Sequence, residues 1–363
     1  MIKKIFLFSL FFVFSFAIFS QKSEIQKQNS IEEKTKLKQV FSGYKVQLAY
    51  NKIIFPGDPI FVRLKLEAKN RKVKKIFLNE ENPFDISIKL CEKFEDEKFT
   101  IDTDKEKAEA KTSEKLNKKS KMIEKSVLYI TDLQPKGKSA LFLGAIPTSS
   151  YAEPGEYYIE LCVNILGLEE EKLEFPILIE SKDFIKETIH LDSKNTSIRT
   201  DSSKKRMEQI EHLNKILFSK DEKSIFETQN FSYPTDATRR TSFFADRRIF
   251  QYSNGKTATS LHNGIDWGVP VGTKVFACGK GKVVLAEYRI TTGNSIVIEH
   301  LPGLYSLYYH LSAIDVLKGQ LVEKGAQIGL SGDTGLATGP HLHWEIRLNG
   351  SAVNPDWFVQ NSW

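Results

Sequence analysis

Five of the seven histidines lie between residues 262 and 343, and four of these five fall in three short clusters. In chain order the clusters are His262-Asn263-Gly264-Ile265-Asp266, Tyr308-Tyr309-His310-Leu311 and Gly339-Pro340-His341-Leu342-His343-Trp344-Glu345. Neutral imidazole and carboxylate are the usual non-thiolate ligands of zinc, and a catalytic zinc keeps three protein ligands and a water. Each cluster alone is common by chance. Together they predict a hydrolytic metal site without saying which histidines hold the metal.

The third cluster is predicted to be a strand with one polar and one apolar face. The polar face would carry His341, His343, Glu345 and Arg347, and the apolar face Leu342, Trp344 and Ile346. Because the apolar face belongs in the core, the histidine face should open onto a polar space. Two imidazoles about 7 Å apart along a strand can converge on one small site.

The first cluster needs a bend before it can form a site. Four residues of extended chain would separate His262 from Asp266 by about 13 Å, too far to bind one ion. A helix would bring them together, but Gly264 and Pro270 disfavour one. The dipeptide Asn263-Gly264 is a turn signal, so we expect the chain to bend there.

The two remaining histidines of this region lack a neighbouring ligand in the sequence. His310 is predicted to share a polar strand face with Ser306 and Tyr308, opposite the apolar Leu307. Nothing marks His300, which is expected to be a hydrogen-bonded structural histidine.

The composition is that of a folded chain with two or three domains. The 363 residues are 40% hydrophobic and 27% charged and include 25 Phe, which excludes disorder, collagen or coiled coil as a description of the whole. A net charge of +6 is too small to argue for nucleic acid, so no nucleic-acid partner is expected. It would suit contact with an anionic polymer.

The first 20 residues are predicted to be a signal peptide. A basic start is followed by an apolar run over residues 5–19, broken by Ser9 and Ser15, and then by polar residues from Gln21. The run is shorter than the roughly 20 residues of a membrane span. The protein is therefore expected to be exported, to the periplasm or cell envelope, with no stable membrane span after signal removal. An uncleaved N-terminal anchor is the alternative.

Residues 38–182 are predicted to form an immunoglobulin-like β-sandwich. Apolar and polar residues alternate around 60–66, 86–90, 157–163 and 173–179, and Pro/Gly turn signals precede two of these runs. The stretch 93–125 is rich in Lys, Glu and Asp and is interpreted as a solvated excursion. Cys91 and Cys162 fall on the polar face of their strands, which disfavours a disulfide between them but leaves it open, and Cys278 is left over.

Residues 183–230 are interpreted as a linker with one short amphipathic helix. Met207, Ile210, Leu213 and Leu217 recur at helical spacing and predict a helix over 206–220. From 231 to 363 short β-rich runs alternate with glycine-containing turns. This part is predicted to be a compact, mostly antiparallel β domain, so the fold class of the whole chain is mainly β.

The order of the histidine motifs resembles that of lysostaphin/LytM-type zinc metallo-endopeptidases. The similarity covers about 231–358, and the N-terminal two-thirds of the chain lies outside it. It includes three further segments, Ser242-Phe243-Phe244-Ala245-Asp246-Arg247, Pro270-Val271-Gly272-Thr273 and Ser331-Gly332-Asp333-Thr334-Gly335. Ala245, where the family often has glycine, departs from the pattern but touches no ligand.

The resemblance implies a fold, a cofactor and a reaction. The fold would be the duplicated hybrid motif of LytM-type domains, with one Zn²⁺ per chain bound by His262, Asp266 and His343. His310 and His341 would be catalytic and act on the water or the developing oxyanion, with the assignment between them left open. Family members cleave peptide cross-links of bacterial peptidoglycan, so the chain is expected to be a zinc-dependent endopeptidase of the cell wall.

Two other functions fit parts of the pattern. Some relatives have lost ligands and activate cell-wall amidases, so a catalytically silent regulator with a cell-wall or division-protein partner is the main alternative. Every matching ligand position is intact here, which argues against it. A metal-buffering protein is disfavoured because no His/Cys-rich tract is present. The cross-link that is cut and the role of the sandwich, to position the catalytic domain or to cover its groove, stay open.

Overall fold

The structure is a computed structural model that describes residues 35–41, 43–78, 82–93 and 120–363. The predicted signal peptide and most of the predicted excursion, 94–119, lie outside the described residues. Among those described, no helix has the length and apolar character needed to cross a membrane. The chain is mostly β and its strands pair mainly antiparallel, which confirms the predicted fold class.

The N-terminal domain consists of two five-stranded sheets. Its strands are β1 (Thr35–Phe41), β2 (Tyr44–Tyr50), β3 (Ile53–Ile54), β4 (Ile60–Ala68), β5 (Phe84–Lys93), β6 (Ser120–Val127), β7 (Tyr129–Leu133), β8 (Ser139–Ile146), β9 (Gly155–Ile165) and β10 (Glu171–Ile179). Helix α1 (Arg71–Phe77) follows β4, and Pro135–Gly137 forms a single 3₁₀ turn. The sheet orders are β1-β2-β4-β8-β7 and β3-β10-β9-β5-β6.

The alternating apolar residues of both sheets share one core. Val62 and Leu64 of β4 and Ile159 and Leu161 of β9 are at most 2% exposed and belong to the same buried cluster. Two sheets that bury one face each against the other form a sandwich. The immunoglobulin-like character of this sandwich stays a prediction.

The charged excursion is narrower than predicted, because its end belongs to a sheet. Strand β6 pairs antiparallel with β5, so residues 120–125 are strand and not loop. β6 lies at the sheet edge, and its Met122 and Ile123 are 55% and 46% exposed. An edge strand that buries few side chains carries little apolar alternation, which is why its sequence resembles a solvated segment.

All three cysteines are free and buried. Cys91 and Cys162 lie outside the core cluster of the sandwich, on the polar face of the second sheet, as the alternation predicts. On that face Lys89 and Glu160 form an ion pair, and Cys162 Sγ lies 3.4 Å from the Glu160 carboxylate. No disulfide joins them in this structure.

The predicted linker contains more structure than one helix. It holds strand β11 (Lys186–His190) and helices α2 (Ser193–Thr200) and α3 (Lys204–Leu217). The predicted helix 206–220 is α3, which begins after the cap residue Ser203, whose side chain accepts a hydrogen bond from Arg206 N. Met207 is 53% exposed and therefore does not belong to the buried face of α3.

Helix α2 is absent from the sequence prediction because it has no apolar period. Asp192 caps it by accepting a hydrogen bond from Asn195 N at 2.7 Å. Its buried residues are the polar Asn195 and Thr196, so contacts with the rest of the protein stabilise it rather than an apolar stripe.

The C-terminal domain is built on one large sheet and two small ones. Its strands are β12 (Arg240–Ser242), β13 (Arg247–Gln251), β14 (Thr257–Leu261), β15 (Gly264–Trp267), β16 (Lys274–Phe276), β17 (Gly281–Arg289), β18 (Gly293–Leu301), β19 (Leu304–Leu311), β20 (Ala313–Ile314), β21 (Leu321–Val322), β22 (Gln327–Leu330), β23 (Leu342–Leu348) and β24 (Ser351–Val353), followed by helix α4 (Pro355–Gln360). The large sheet has the order β12-β15-β23-β19-β18-β17-β21, with β24 beside β23, and the small sheets are β11-β13-β14 and β16-β22-β20.

Both faces of the large sheet are covered. The apolar face of β23, with Trp344, packs into the main core of the domain. On the opposite face, Leu213, Ile216 and Leu217 of α3 pack on a cluster that includes Tyr309 of β19. Helix α3 is therefore packed into the C-terminal domain.

The sandwich and the C-terminal domain share an aromatic interface. Phe61, on the outer face of the first sheet, stacks on Trp357 with ring centroids 5.2 Å apart and contacts Phe358 and Trp363 at 5.6 and 4.9 Å. Beside it, Asn354 Nδ2 donates to the buried carboxylate of Asp58 at 2.8 Å. The two domains are joined by a packed interface as well as by the intervening chain.

Replacing Phe61 with alanine should test this interface. We expect the free energy of unfolding to fall by about 3–5 kcal/mol, because a buried aromatic ring is lost among three others. Leu317→Ala, at a side chain 77% exposed, is the control and should change stability by less than about 0.5 kcal/mol. Denaturant unfolding measures both, and a loss below about 1 kcal/mol for Phe61→Ala would mean that the domains do not depend on this contact.

Candidate metal centre

Strands from two sheets bring His262, Asp266 and His343 together. Asp266 on β15 lies directly opposite His343 on β23. The chain leaves the small sheet at the end of β14 and enters the large sheet at β15, with His262 and Asn263 between the two strands. The turn expected at Asn263-Gly264 does not form, because Gly264 is already the first residue of β15. A Cβ at Gly264 would lie 2.2 Å from Trp344 O, so only glycine allows β15 to approach β23 this closely.

Three potential ligand atoms of this group face one another. The distance from His262 Nε2 to Asp266 Oδ1 is 3.1 Å, from His343 Nδ1 to Asp266 Oδ1 2.7 Å, and between the two ring nitrogens 3.0 Å. Tetrahedral zinc with bonds of about 2.0–2.1 Å would separate its ligands by about 3.3 Å. A small outward movement of each side chain would accommodate the ion.

Hydrogen bonds select the ring nitrogen that each histidine presents. His262 Nδ1 donates to Phe243 O at 2.8 Å, which leaves its Nε2 lone pair free for a metal. His343 Nε2 donates to Glu345 Oε1 at 2.9 Å, so Nδ1, which faces Asp266, is the nitrogen that would bind a metal in place of its proton. Orientation of a ligating imidazole by a carboxylate or carbonyl is the usual arrangement around zinc. The donor set therefore fits a zinc ion.

His310 and His341 lie beside this group with the same kind of orientation. His341 Nδ1 donates to Gly339 O at 2.8 Å, and its Nε2 is 3.9 Å from Asp266 Oδ1. His310 Nδ1 donates to Thr334 O at 2.7 Å. The centroids of the two rings are 4.7 Å apart, and each ring keeps an Nε2 lone pair that can accept a proton.

The predicted strand face of His310 is wrong. Ser306 and Tyr308 point to the other side of β19, where their hydroxyls bond each other in the core beneath the sheet. His310 has φ +61°, a left-handed conformation that breaks the alternation and turns its ring toward His341 and His343. A non-glycine residue held in this conformation stores strain, which is common at functional sites.

Burial and neighbouring charges shift the pKa values of Asp266 and His343 in opposite directions. Burial alone would raise the pKa of Asp266, but His262 and His343 hold that pKa well below its usual value. Burial alone would lower the pKa of His343, but Asp266 and Glu345 raise it to about 9. The site therefore stabilises positive charge between its carboxylates, as a cation-binding site must.

The two other histidines are kept neutral. Burial lowers the pKa of His310 to about 3, helped by the adjacent His341 and His343. Burial also lowers the pKa of His341, although Asp266 partly opposes this. Near neutral pH both imidazoles are therefore unprotonated.

Two arginines and an aromatic ring complete the site, and the sequence argument gave none of them a role. Arg248 donates from Nη2 to Asp266 Oδ2 at 3.1 Å, and Arg347 donates to Glu345 Oε2 at 2.7 Å. The ring of Tyr309 stacks on His343 with centroids 5.4 Å apart. The alternation of β23 had placed Arg347 on the histidine face, but no spacing in the sequence marked Arg248.

A cleft of about 370 Å³ adjoins the metal centre on the side of the sandwich. One wall is the loop around Tyr151 after β8, and the other includes His262, Asn263 and Ser351. The N-terminal domain therefore contributes to the surroundings of the site.

His300 is a buried structural histidine, as expected. Its Nδ1 donates to Lys280 O at 2.7 Å, its Nε2 accepts from Ser306 Oγ at 2.7 Å, and Phe231 packs on its ring. Burial lowers its pKa to about 4.

This burial predicts an acid-sensitive stability. The unfolded imidazole titrates near pH 6.5, so between about pH 6.5 and 4 the unfolded chain binds a proton that the folded chain does not. Stability should therefore fall with falling pH, by about 2 kcal/mol from this group between pH 7 and 5. His300→Asn should lose that much less than the wild type when unfolding is compared at the two pH values. Equal losses would show that His300 is protonated in the folded state.

Comparison with known proteins identifies the same region. Residues 260–355 match the model of peptidase family M23. The peptidoglycan DD-endopeptidase ShyA of Vibrio cholerae is 43% identical over 122 residues, which are 34% of this chain and 28% of ShyA. The DD-carboxypeptidase/endopeptidase Mpg of Neisseria meningitidis is 45% identical over 95 residues, 26% of this chain and 22% of Mpg. The chain therefore matches only about a quarter of the length of these relatives.

Among solved structures, a putative peptidase M23 from Pseudomonas aeruginosa aligns with 65% of this chain and 84% of its own. Its sequence identity is 24% and its TM-score 0.46. The resemblance drawn from the histidine motifs is confirmed by the family match: the C-terminal part of this chain carries a peptidase M23 domain.

Proposed function

We propose that this protein is a zinc-dependent endopeptidase that hydrolyses peptide cross-links of bacterial peptidoglycan, exported to the periplasm or cell envelope. The observation that carries the proposal is the buried group of His262, Asp266 and His343, with two neutral histidines beside it, inside a peptidase M23 domain. The names of the relatives favour a D,D-peptide bond as the one cleaved.

The chain's own residues divide the chemistry between them. Zinc, when bound, supplies a Lewis acid that activates water and polarises the scissile carbonyl. Either His310 or His341 can take the proton of the attacking water at Nε2, because Nδ1 of each already donates to a backbone carbonyl. With ring centroids 4.7 Å apart, the two would not be protonated together, so only one of them takes the proton. That ring then carries an Nε2–H, which can donate to the developing oxyanion.

Burial prepares the site for this reaction. His262, Asp266, His310 and His343 are each at most 8% exposed, so bulk water is largely excluded around them. Glu345 and Arg248 fix the orientation of His343 and Asp266 before any ligand binds. Fixed dipoles and charges in a site of low dielectric cost little reorganisation in the transition state.

Cleavage of defined muropeptide dimers tests the proposal. The full chain, loaded with one equivalent of zinc, should convert dimers joined by a D,D-bond into monomers that mass spectrometry identifies. His341→Ala should be at least about 100-fold slower. If the zinc-loaded chain leaves the dimers intact but stimulates a cell-wall amidase, the regulator is the correct function.

A further inference from the structure

The small sheet that adjoins the metal centre includes a strand of the predicted linker. β11 lies before the predicted start of the catalytic domain at residue 231, and it pairs in parallel with β13. Its register places Glu187 directly opposite Arg248. Backbone hydrogen bonds continue past the strand ends, from Arg247 N to Ile185 O and from Leu191 N to Gln251 O.

Through this pairing the linker reaches the metal centre. Arg248 Nε donates to Glu187 Oε1 at 2.7 Å, and Arg248 Nη2 donates to Asp266 Oδ2 at 3.1 Å. The other oxygen of Asp266, Oδ1, is the one that faces His262 and His343. The Arg248 and Asp266 side chains are 13% and 9% exposed, and that of Glu187 is 31% exposed.

The charges in this chain of contacts explain why Glu187 matters. An arginine that bonds Asp266 orients the carboxylate, but its positive charge also opposes a metal cation on the other oxygen. Glu187 neutralises that charge and fixes the guanidinium plane through Nε. Without Glu187, Arg248 would be free to reorient. Its positive charge, no longer offset by Glu187, would then oppose the cation more strongly.

We propose that Glu187 is a positioning residue of the metal centre, so that the functional catalytic unit begins at β11 and not at residue 231. The inference rests on the zinc-dependent function proposed above. It predicts that the affinity for zinc depends on a residue with no contact to the ion.

Zinc affinity of the full chain tests it, measured by competition with a chromophoric chelator and without any substrate. Glu187→Gln keeps the size of the side chain and the backbone pairing of β11 but removes the charge. We expect it to bind zinc about 10-fold more weakly, the lower end of the effect of residues that support metal ligands. Glu208→Gln is the matched control, because Glu208 is an exposed residue of α3 whose ion-pair partner, Lys204, is more exposed still. It should bind zinc as the wild type does.

A double-mutant cycle shows whether Glu187 acts through Arg248. In an Arg248→Met background, Glu187→Gln should change the zinc affinity by less than about twofold. The inference would be overturned if Glu187→Gln weakened zinc binding about 10-fold in the Arg248→Met background as well. It would also be overturned if the single variant Glu187→Gln bound zinc as tightly as the wild type. The unfolding midpoint of metal-free Glu187→Gln, expected to match that of Glu208→Gln, separates positioning from general destabilisation. An unaltered chain that binds no zinc would instead contradict the proposed function, and this inference with it.

Discussion

Asp266→Ala should lose zinc and peptidoglycan hydrolysis together. Asp266 supplies the single carboxylate of the ligand group, and Oδ1 lies within 3.1 Å of both His262 Nε2 and His343 Nδ1. Removing it leaves two neutral imidazoles, and Arg248 loses one of its two carboxylate partners. We expect no detectable zinc in the purified variant at a zinc concentration that saturates the wild type.

Metal analysis and the muropeptide assay measure the two losses. Asp333→Ala is the control, because Asp333 is an exposed carboxylate in the loop before His341. This variant should keep one zinc per chain and its activity. An Asp266→Ala protein that still carries a full equivalent of zinc would show that Asp266 is not a ligand.

His310→Ala should separate catalysis from metal binding. His310 Nδ1 is bonded to Thr334 O, and His310 is not one of the three residues whose ligand atoms cluster. We expect turnover to fall by about 10²–10⁴-fold, the usual contribution of a general acid or base, while zinc stays bound.

Two variants keep this prediction testable despite the left-handed backbone at His310. His310→Asn tolerates φ +61° better than alanine does and should show the same loss of turnover with full zinc content. His212→Ala, on the exposed side of α3, is the control for removing a histidine. Loss of zinc in both His310 variants would make His310 a ligand and change the assignment of roles.

The strand that ends the histidine motif could be predicted in detail from the sequence. Leu342, Trp344 and Ile346 are buried in the core, while His343, Glu345 and Arg347 form a hydrogen-bonded row on the opposite face. A strand with one apolar face has a fixed register, so its polar side chains are placed by alternation alone. The sequence argued correctly that no single regular element joins His262 to Asp266, because the chain passes from one sheet to another between them.

His310 shows where alternation fails. Its positive φ reverses the side of the strand on which the ring lies. Histidine adopts a left-handed conformation more often than most residues, but too rarely for the residue type to predict it. Its backbone N–H donates to Thr292 O and its ring to Thr334 O, so distant loops hold this conformation. Such long-range contacts are not encoded in the local pattern of β19.

The sequence predicted only one helix in residues 183–230, because the other elements there depend on tertiary contacts. Residues 186–190 contain a single apolar residue, the half-buried Ile189, so their sequence resembles that of a polar loop. They become a strand by pairing with β13, and Glu187 meets Arg248 only through that pairing. A residue whose role depends on a partner 61 positions away has no motif in the sequence.

Digestion of purified sacculi by the full chain, with and without a zinc chelator, tests the central claim most directly. Mass spectrometry of the released muropeptides should show loss of cross-linked species, abolition of that loss by the chelator and recovery when zinc is added back. Asp266→Ala should leave the cross-linked species intact even without the chelator. Cleavage that the chelator does not affect, or no cleavage by a chain shown to carry one zinc, would contradict the account.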